Sequence, residues 1–238
     1  MTLKSALFAD NPARDEGVTV KDYWRDMANL PHDHPDSSQE FLHRQLNEEL
    51  NSLEIAARNL VDFPEADWKL RMEIARQCSD EARHAIAFRR LMEKRGGYVG
   101  KYPVFNFQFR IITSIPTLIG RLTVANRSFE AAGIDAIEDG IQSSRKREDA
   151  EFVALFDAQL ADEVQHVRFA NVWIKILVDR EGPRAVMDLA RAVAHANTAF
   201  KEIVGEDVIT YPVANDIRRE AGFSEEEIES ARTLAARN

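Results

Sequence analysis

Cysteine, glycine and proline are all scarce in this chain, with 1, 10 and 8 residues among 238. The one cysteine, Cys78, cannot form an internal disulfide and cannot build a thiolate metal cluster. Glycine and proline break helices, whereas the abundant Ala, Leu, Glu and Arg favour them. The composition therefore predicts a largely helical protein.

Long apolar runs and an excess of positive charge are also missing. No apolar run approaches the length that spans a membrane, and the first residues lack the apolar core of a signal peptide. We therefore expect a cytoplasmic protein. The net charge of −9 weighs against a nucleic-acid partner, and the basic runs at 89–90 and 145–147 are interpreted as solvated helix ends.

Apolar residues recur with helical spacing along most of the chain. The predicted helices span about 18–30, 38–61, 65–95, 112–144, 148–181 and 184–204, with one or two short helices after residue 212. Two helices are expected to begin with capping boxes, one formed by Ser37 and Glu40 and the other by Ser224 and Glu227. No segment alternates with period two for long, so we expect no sheet.

The connections between the helices indicate how they are arranged. Short loops join the second helix to the third and the fourth to the fifth, and residues 96–110 form a long connection between the two pairs. This connectivity predicts an all-α four-helix bundle with one long crossover. The expected parts are an N-terminal extension at 1–36, the bundle at 37–181, and a C-terminal helical extension packed on it at 182–238.

A weak internal repeat is built around the pattern Asp-Glu-x-x-His. Residues 77–84 (QCSDEARH) align with residues 159–166 (QLADEVQH), and residues 49–54 align with residues 130–135. A Glu and a His three residues apart lie on the same side of a helix. Two such pairs, with a carboxylate from each of two other helices, can surround two metal ions. Carboxylates neutralise the cations, and neutral imidazole adds a strong nitrogen ligand.

The shorter pattern Glu-x-x-His occurs three times, although about one match is expected by chance. The third match is Glu40 with His43. It lies near a helix start, where Glu40 already belongs to the predicted capping box. We therefore reject this pair as metal ligands and keep the other two.

The spacing between two upstream glutamates and the remaining pairs favours a site over coincidence. In an antiparallel helix pair, residues equally far from the loop lie at the same height. Glu81 follows Glu49 by 81 − 49 = 32 residues, and Glu163 follows Glu130 by 163 − 130 = 33 residues. The predicted metal ligands are therefore Glu49, Glu81, His84, Glu130, Glu163 and His166.

Some carboxylates near these ligands have two interpretations. Glu48 and Glu54 compete with Glu49 for the ligand position on the first helix of the bundle. Asp80 and Asp162 directly precede the two ligand glutamates of the repeat. Each either accepts a ring N–H from a metal-bound histidine or is an ordinary solvated helix residue.

Small and aromatic residues near the ligands are also ambiguous. Ser52 and Gly133 follow Glu49 and Glu130 by one turn, and they either leave space for oxygen or substrate or allow close helix packing. Cys78 is expected to be a buried, inert thiol. Three aromatic residues are candidates either for an apolar pocket or for ordinary core packing: Phe88, Phe129 and Phe169.

With these motifs the chain resembles the ferritin-like di-iron carboxylate superfamily, which includes ribonucleotide reductase small subunits, rubrerythrins, bacterioferritins and a tRNA hydroxylase. It is more closely similar to a bacterial ferritin-like family of uncharacterised proteins. The segments that carry this likeness are ELNSLEIAARNLVDFPEADW, DEARH, PVFNF, FEAAGID and DEVQHV. The first departs from the expected pattern, because Asn47 and Glu48 precede Glu49 where other residues are usual.

The resemblance implies roles for the six ligands. Glu81 and Glu163 would bridge two metal ions, Glu49 and Glu130 would be terminal ligands, and the two histidines would bind one ion each. The ions would be iron, with manganese or a mixed manganese–iron pair as alternatives.

The expected function is that of an oxidase or oxygenase that activates O2 and acts on a small organic substrate. Use of an electron donor and assembly as a homodimer are left open. Iron-storage ferritins, by resemblance, usually lack the second histidine, which favours the enzyme. The alternatives are a non-catalytic metal-binding or iron-storage protein, a tRNA-modifying hydroxylase, and a metal-free helical interaction module.

Overall fold

The structure is a computed structural model that describes residues 7, 11–31, 33–205 and 211–235. Helices dominate it, so the prediction of an all-α protein is confirmed. Two compact units divide the chain: Met1–Pro116 with His195–Asp207, and Thr117–Ala194 with Val208–Asn238. Among the described residues, no helix is long and apolar enough to cross a membrane.

The first unit is built on a helical hairpin. Helix α1 (Ser37–Asp62) and helix α2 (Trp68–Lys94) pack along their length, and the short loop between them makes them antiparallel. The Asp67 side chain accepts a hydrogen bond from the Lys69 N–H at 2.9 Å, which caps α2. The helix ends before Gly96, whose φ of +82° suits glycine. The predicted helices 38–61 and 65–95 are thus confirmed.

The capping box predicted at the start of α1 is wrong. The N-cap residue is Asp36, and α1 already begins at Ser37. The Glu40 N–H donates to the Asp36 carbonyl at 3.0 Å, as in an ordinary first turn. The Glu40 carboxylate instead lies 3.4 Å from Arg44, its neighbour one turn further along the helix.

A helix predicted over 18–30 and the absence of any sheet are also wrong. A short strand β1 (Val20–Lys21) pairs in parallel with β2 (Val104–Phe105), and a 3-10 turn follows at Trp24–Asp26. The β-branched run at 18–20 favours an extended backbone, which outweighed the helical spacing of its apolar residues. The chain then continues from β2 into helix α3 (Phe107–Thr113).

The second unit contains another helical hairpin. Helix α4 (Leu118–Leu122) runs through a π-helical segment (Thr123–Glu130) into α5 (Ala131–Lys146), and α6 (Ala150–Glu181) follows. The helix predicted over 112–144 therefore begins later than expected. Pro116 disfavours helix in the residue before it, and Thr117 caps the new start by accepting from the Gly120 N–H.

Three further helices follow among the described residues: α7 (Pro183–Ile203), α8 (Asn215–Glu220) and α9 (Glu225–Ala235). Residues 183–194 of α7 belong to the second unit, and residues 195–203 belong to the first. The capping box predicted at Ser224 is confirmed. The Ser224 N–H donates to the Glu227 carboxylate at 2.8 Å, and the Glu227 N–H donates to the Ser224 hydroxyl at 3.3 Å.

The C-terminal helices of the second unit pack on its hairpin through an apolar cluster and an ion pair. The cluster includes Ala131 and Ile134 of α5 and Phe223 of the C-terminal segment. Beside it, the Asp135 carboxylate lies 2.6 Å from an Arg218 nitrogen and also accepts the Ala214 N–H at 2.9 Å. The largely buried ion pair between Asp135 and Arg218 therefore holds the C-terminal segment on the hairpin of the second unit.

Candidate metal centre

The first unit brings three of the predicted ligands together. Glu49 on α1 and Glu81 and His84 on α2 offer ligand atoms that lie within 4.8 Å of one another, and all three side chains are buried. The His84 Nδ1 lies 3.2 Å from a carboxylate oxygen of Glu49 and 3.2 Å from one of Glu81. The spacing of 32 residues thus places one carboxylate level with the Glu-x-x-His pair of the neighbouring helix.

The structure also separates Glu49 from its two competitors on α1. The Glu54 carboxylate pairs with Arg14 at 2.9 Å, so it faces a different neighbour. Glu48 accepts the Gln45 amide at 2.9 Å. Of the three glutamates, Glu49 is the one grouped with Glu81 and His84.

The second unit contains a matching cluster. Glu130, at the end of the π-helical segment, and Glu163 and His166 on α6 offer ligand atoms within 4.8 Å of one another. The His166 Nδ1 lies 3.3 Å from a Glu163 carboxylate oxygen. Glu163 and His166 are buried and Glu130 is half-buried. Each unit thus carries one glutamate opposite one Glu-x-x-His pair.

The π-helical segment was not anticipated from the sequence. Within it, the Ser128 hydroxyl donates to the Thr123 carbonyl at 3.0 Å, one turn back in the wide helix. Wide turns of this kind are frequent at functional sites. Here the segment ends on the predicted ligand Glu130.

The third Glu-x-x-His pair has a structural role in the first unit. The His43 Nε2 accepts the Gly100 N–H at 2.8 Å, and burial lowers the pKa of His43. The ring is therefore neutral, with its proton on Nδ1, and it presents no free lone pair to a metal. The rejection of Glu40 and His43 agrees with this geometry, although the capping argument behind it was wrong.

The two aspartates predicted to support the histidines lie in different surroundings. Asp80 is buried, and its carboxylate lies 3.5 Å from Arg76 and within ion-pair distance of Arg83 on its own helix. Asp162 is half-buried. The role of either aspartate in accepting a ring N–H from a metal-bound histidine stays a prediction.

The small and aromatic residues near the clusters also differ in burial. Ser52 and Gly133 are half-buried, and a Cβ added at Gly133 would meet no atom within 4 Å. Close packing therefore does not require this glycine, which leaves the alternative that it provides space. Phe88 is fully buried in the core, whereas Phe129 and Phe169 are half-buried.

Replacing Gly133 by alanine is expected to stabilise the protein by about 0.5–1 kcal/mol. Alanine has less backbone freedom to lose in a helix, and its methyl group meets open space here. Chemical denaturation of the metal-free protein measures the change. Gly140→Ala, in the same helix as Gly133, is the control, because a Cβ at Gly140 would lie 3.0 Å from the Phe156 ring of α6. A loss of stability in Gly133→Ala would contradict the open space.

Cys78 lies one turn before Glu81 and is half-buried. Its Sγ contacts the Leu53 carbonyl at 3.8 Å. Burial, assisted by the negative charge of Glu81, raises the pKa of the thiol to about 11. The prediction of an inert thiol agrees with this environment.

The rate of thiol modification tests that environment. At pH 8 an ordinary cysteine is about 10% thiolate, whereas a pKa of about 11 leaves about 0.1%, so Cys78 should react about 100-fold more slowly in the folded protein. A disulfide reagent added with and without guanidinium measures both rates. Equal rates in the two conditions would show that the thiol is accessible and ordinary.

The donor set of each cluster fits a divalent transition metal. Carboxylate oxygens and imidazole nitrogen suit iron, manganese and zinc. Two carboxylates held this close together away from water repel one another, and a cation removes that repulsion. The buried clusters could therefore bind metal.

The fold and the clusters define an all-α protein with buried carboxylate–histidine groups. The chain belongs to the family described as "Protein of unknown function (DUF455)", whose model matches residues 2–229. No curated protein and no solved structure matches the chain.

Two side chains that contact predicted ligands were not identified from the sequence. The Gln77 amide donates to a Glu81 oxygen at 3.1 Å, and the Asn126 amide donates to a Glu130 oxygen at 2.8 Å. A signal for the first was present, because both copies of the internal repeat begin with glutamine. No sequence signal indicated the contact of Asn126, because its position depends on the π-helical segment.

Proposed function

We propose that this protein is a dinuclear metal carboxylate enzyme of the ferritin-like type, in which each cluster supplies ligands to one metal ion, most simply iron. The observation that carries the proposal is the repetition of one arrangement in both units. In each unit a glutamate from one helix lies with a Glu-x-x-His pair from the next. Carboxylates held close together with little exposure to water repel one another, and a cation bound in each unit would offset that repulsion.

We further propose that the protein activates O2 to oxidise a small organic molecule. When bound, two ferrous ions supply Lewis acidity and two electrons for the reduction of O2. The glutamates hold the cations without leaving surplus positive charge, and the histidines add nitrogen ligands that fix the geometry. The buried surroundings of Glu81 and Glu163 exclude water, which favours oxidation of a substrate over loss of the oxidant to solvent.

The balance of the reaction defines the partners. Hydroxylation of a C–H bond consumes one O2, two electrons and two protons, and releases one water. Each turnover therefore needs a two-electron reductant in addition to the substrate. Gly133 follows Glu130 by one helical turn and adds no side-chain bulk there. The net charge of −9 weighs against the tRNA alternative.

Reconstitution with iron tests this function. Metal-free protein is loaded anaerobically with Fe(II), analysed for bound iron, and then mixed with O2 in the presence of a reductant. We expect about two iron ions per chain and O2 uptake above that of a protein-free control. Protein that binds no metal removes the basis of the proposal. A cage-sized assembly that accumulates iron mineral would instead establish the storage alternative.

A further inference from the structure

Glu81 has two carboxylate oxygens in different surroundings. Its Oε1 accepts a hydrogen bond from the Gln77 amide at 3.1 Å, and its Oε2 lies 3.2 Å from the His84 Nδ1. Gln77 is 5% exposed, so water hardly competes for the amide. The amide therefore fixes the plane of the carboxylate and directs Oε2 toward the histidine.

Glu130 is held in the same way in the second unit. The Asn126 amide, one turn earlier in the chain, donates to its Oε2 at 2.8 Å. Asn126 is 2% exposed. A buried glutamine, Gln159, also precedes Glu163 by four residues, just as Gln77 precedes Glu81. Amide side chains thus stand one turn ahead of all four predicted glutamate ligands, although Gln45, which precedes Glu49, donates to Glu48 instead.

We propose that Gln77 and Asn126 are positioning residues for the metal ligands Glu81 and Glu130. This inference rests on the proposed metal centre. A carboxylate oxygen has two lone pairs, so a hydrogen bond from the amide N–H leaves the second lone pair of the same oxygen available to a metal. Each amide thus sets the orientation of the ligand before metal arrives, without preventing coordination through either oxygen.

The choice of an amide has a physical reason. An arginine or lysine at this place would neutralise the carboxylate and compete with the metal cation for it. An apolar side chain would remove this donor from the carboxylate and would no longer fix its plane. A neutral donor holds the carboxylate while its full negative charge stays available to the metal. Groups that hold metal ligands in this way typically contribute 10–100-fold to metal affinity.

Titration with Co(II) alone tests the inference. The variants are Gln77→Met, which keeps the length of the side chain but removes the donor, and Asn126→Leu. The control is Gln45→Met, because Gln45 makes the same kind of bond to Glu48, which is not a predicted ligand. A second control is Gln142→Met, whose amide donates to Glu138 at the surface at 2.9 Å. Calorimetry gives the Co(II) affinity, visible absorption reports the coordination geometry, and thermal unfolding without metal confirms that each variant folds.

The expected result is about 10–100-fold weaker Co(II) binding in Gln77→Met and Asn126→Leu, with a changed visible spectrum, while both controls resemble the wild type. Wild-type affinity and spectrum in the two test variants would overturn the inference and leave the proposed function in place. The same loss in the controls would also overturn it, because the effect would then be a general one. A wild-type protein that binds no Co(II) and no Fe(II) would overturn both proposals.

Discussion

Replacing His84 or His166 by glutamine is expected to lower the bound metal from about two ions per chain to about one or fewer, and replacing both should remove it. Imidazole is the proposed nitrogen ligand of each cluster, and the amide of glutamine is a poor ligand for a transition metal. Each histidine faces a carboxylate of its own cluster at 3.2–3.3 Å, so its loss leaves only carboxylates. Elemental analysis after Fe(II) reconstitution measures the effect.

The chain contains its own control for this experiment. His43 belongs to a Glu-x-x-His pair with the same spacing, but its Nε2 accepts the Gly100 N–H. In His43→Gln, the side-chain carbonyl can accept the same bond, so the fold should survive and the metal content should stay at the wild-type value. Retention of metal in the His84→Gln, His166→Gln double variant would refute the ligand assignment. So would loss of metal in His43→Gln.

Breaking the ion pair between Asp135 and Arg218 should have the second largest effect, on stability. Both side chains are largely buried, at 7% and 12% exposure. In Arg218→Met the Asp135 carboxylate keeps only the Ala214 N–H among the partners described above, and removal of one partner of a buried pair typically costs about 3–5 kcal/mol. Guanidinium denaturation of the metal-free protein measures the loss.

Two comparisons make this prediction specific. Arg219→Met removes the neighbouring arginine, whose partners Asp216 and Glu225 are exposed, and it should cost less than about 1 kcal/mol. Adding Asp135→Leu to Arg218→Met should recover much of the loss, because the unpaired charge is then gone. Equal effects of the two arginine replacements would show that the pair at Asp135 does not hold the C-terminal segment.

The main helices and the grouping of the glutamates and histidines could be predicted because they depend on local spacing. Helices α1, α2 and α6 follow from apolar periodicity and from breakers such as Gly96 and Gly182. The pairing of Glu49 with Glu81 follows from the same spacing, because an antiparallel hairpin relates positions by their distance from the loop. Such features need no information from distant parts of the chain.

The features that could not be predicted depend on residues far apart in sequence. Arg14, which lies 40 residues before Glu54 in the sequence, pairs with the Glu54 carboxylate, so Glu54 does not join the cluster around Glu49. The pairing of β1 with β2 joins Val20 to Val104. Each strand is too short for its sequence to indicate which strand it pairs with. His43 is likewise explained by a bond to Gly100, 57 residues away.

The π-helical segment has a consequence for comparing this chain with other helical proteins. Before it, Ile119 and Leu122 are buried at ordinary helical spacing, and the α-helical period of about 3.6 residues per turn, carried onward from Leu122, would reach Phe129 after two turns and Gly133 after three. The fully buried positions after the segment are instead Ala131 and Ile134, because each wide turn holds one residue more than an α-helical turn. Any alignment across residues 123–130 must therefore shift its register, or it will match the inward-facing residues of one protein with the outward-facing residues of the other.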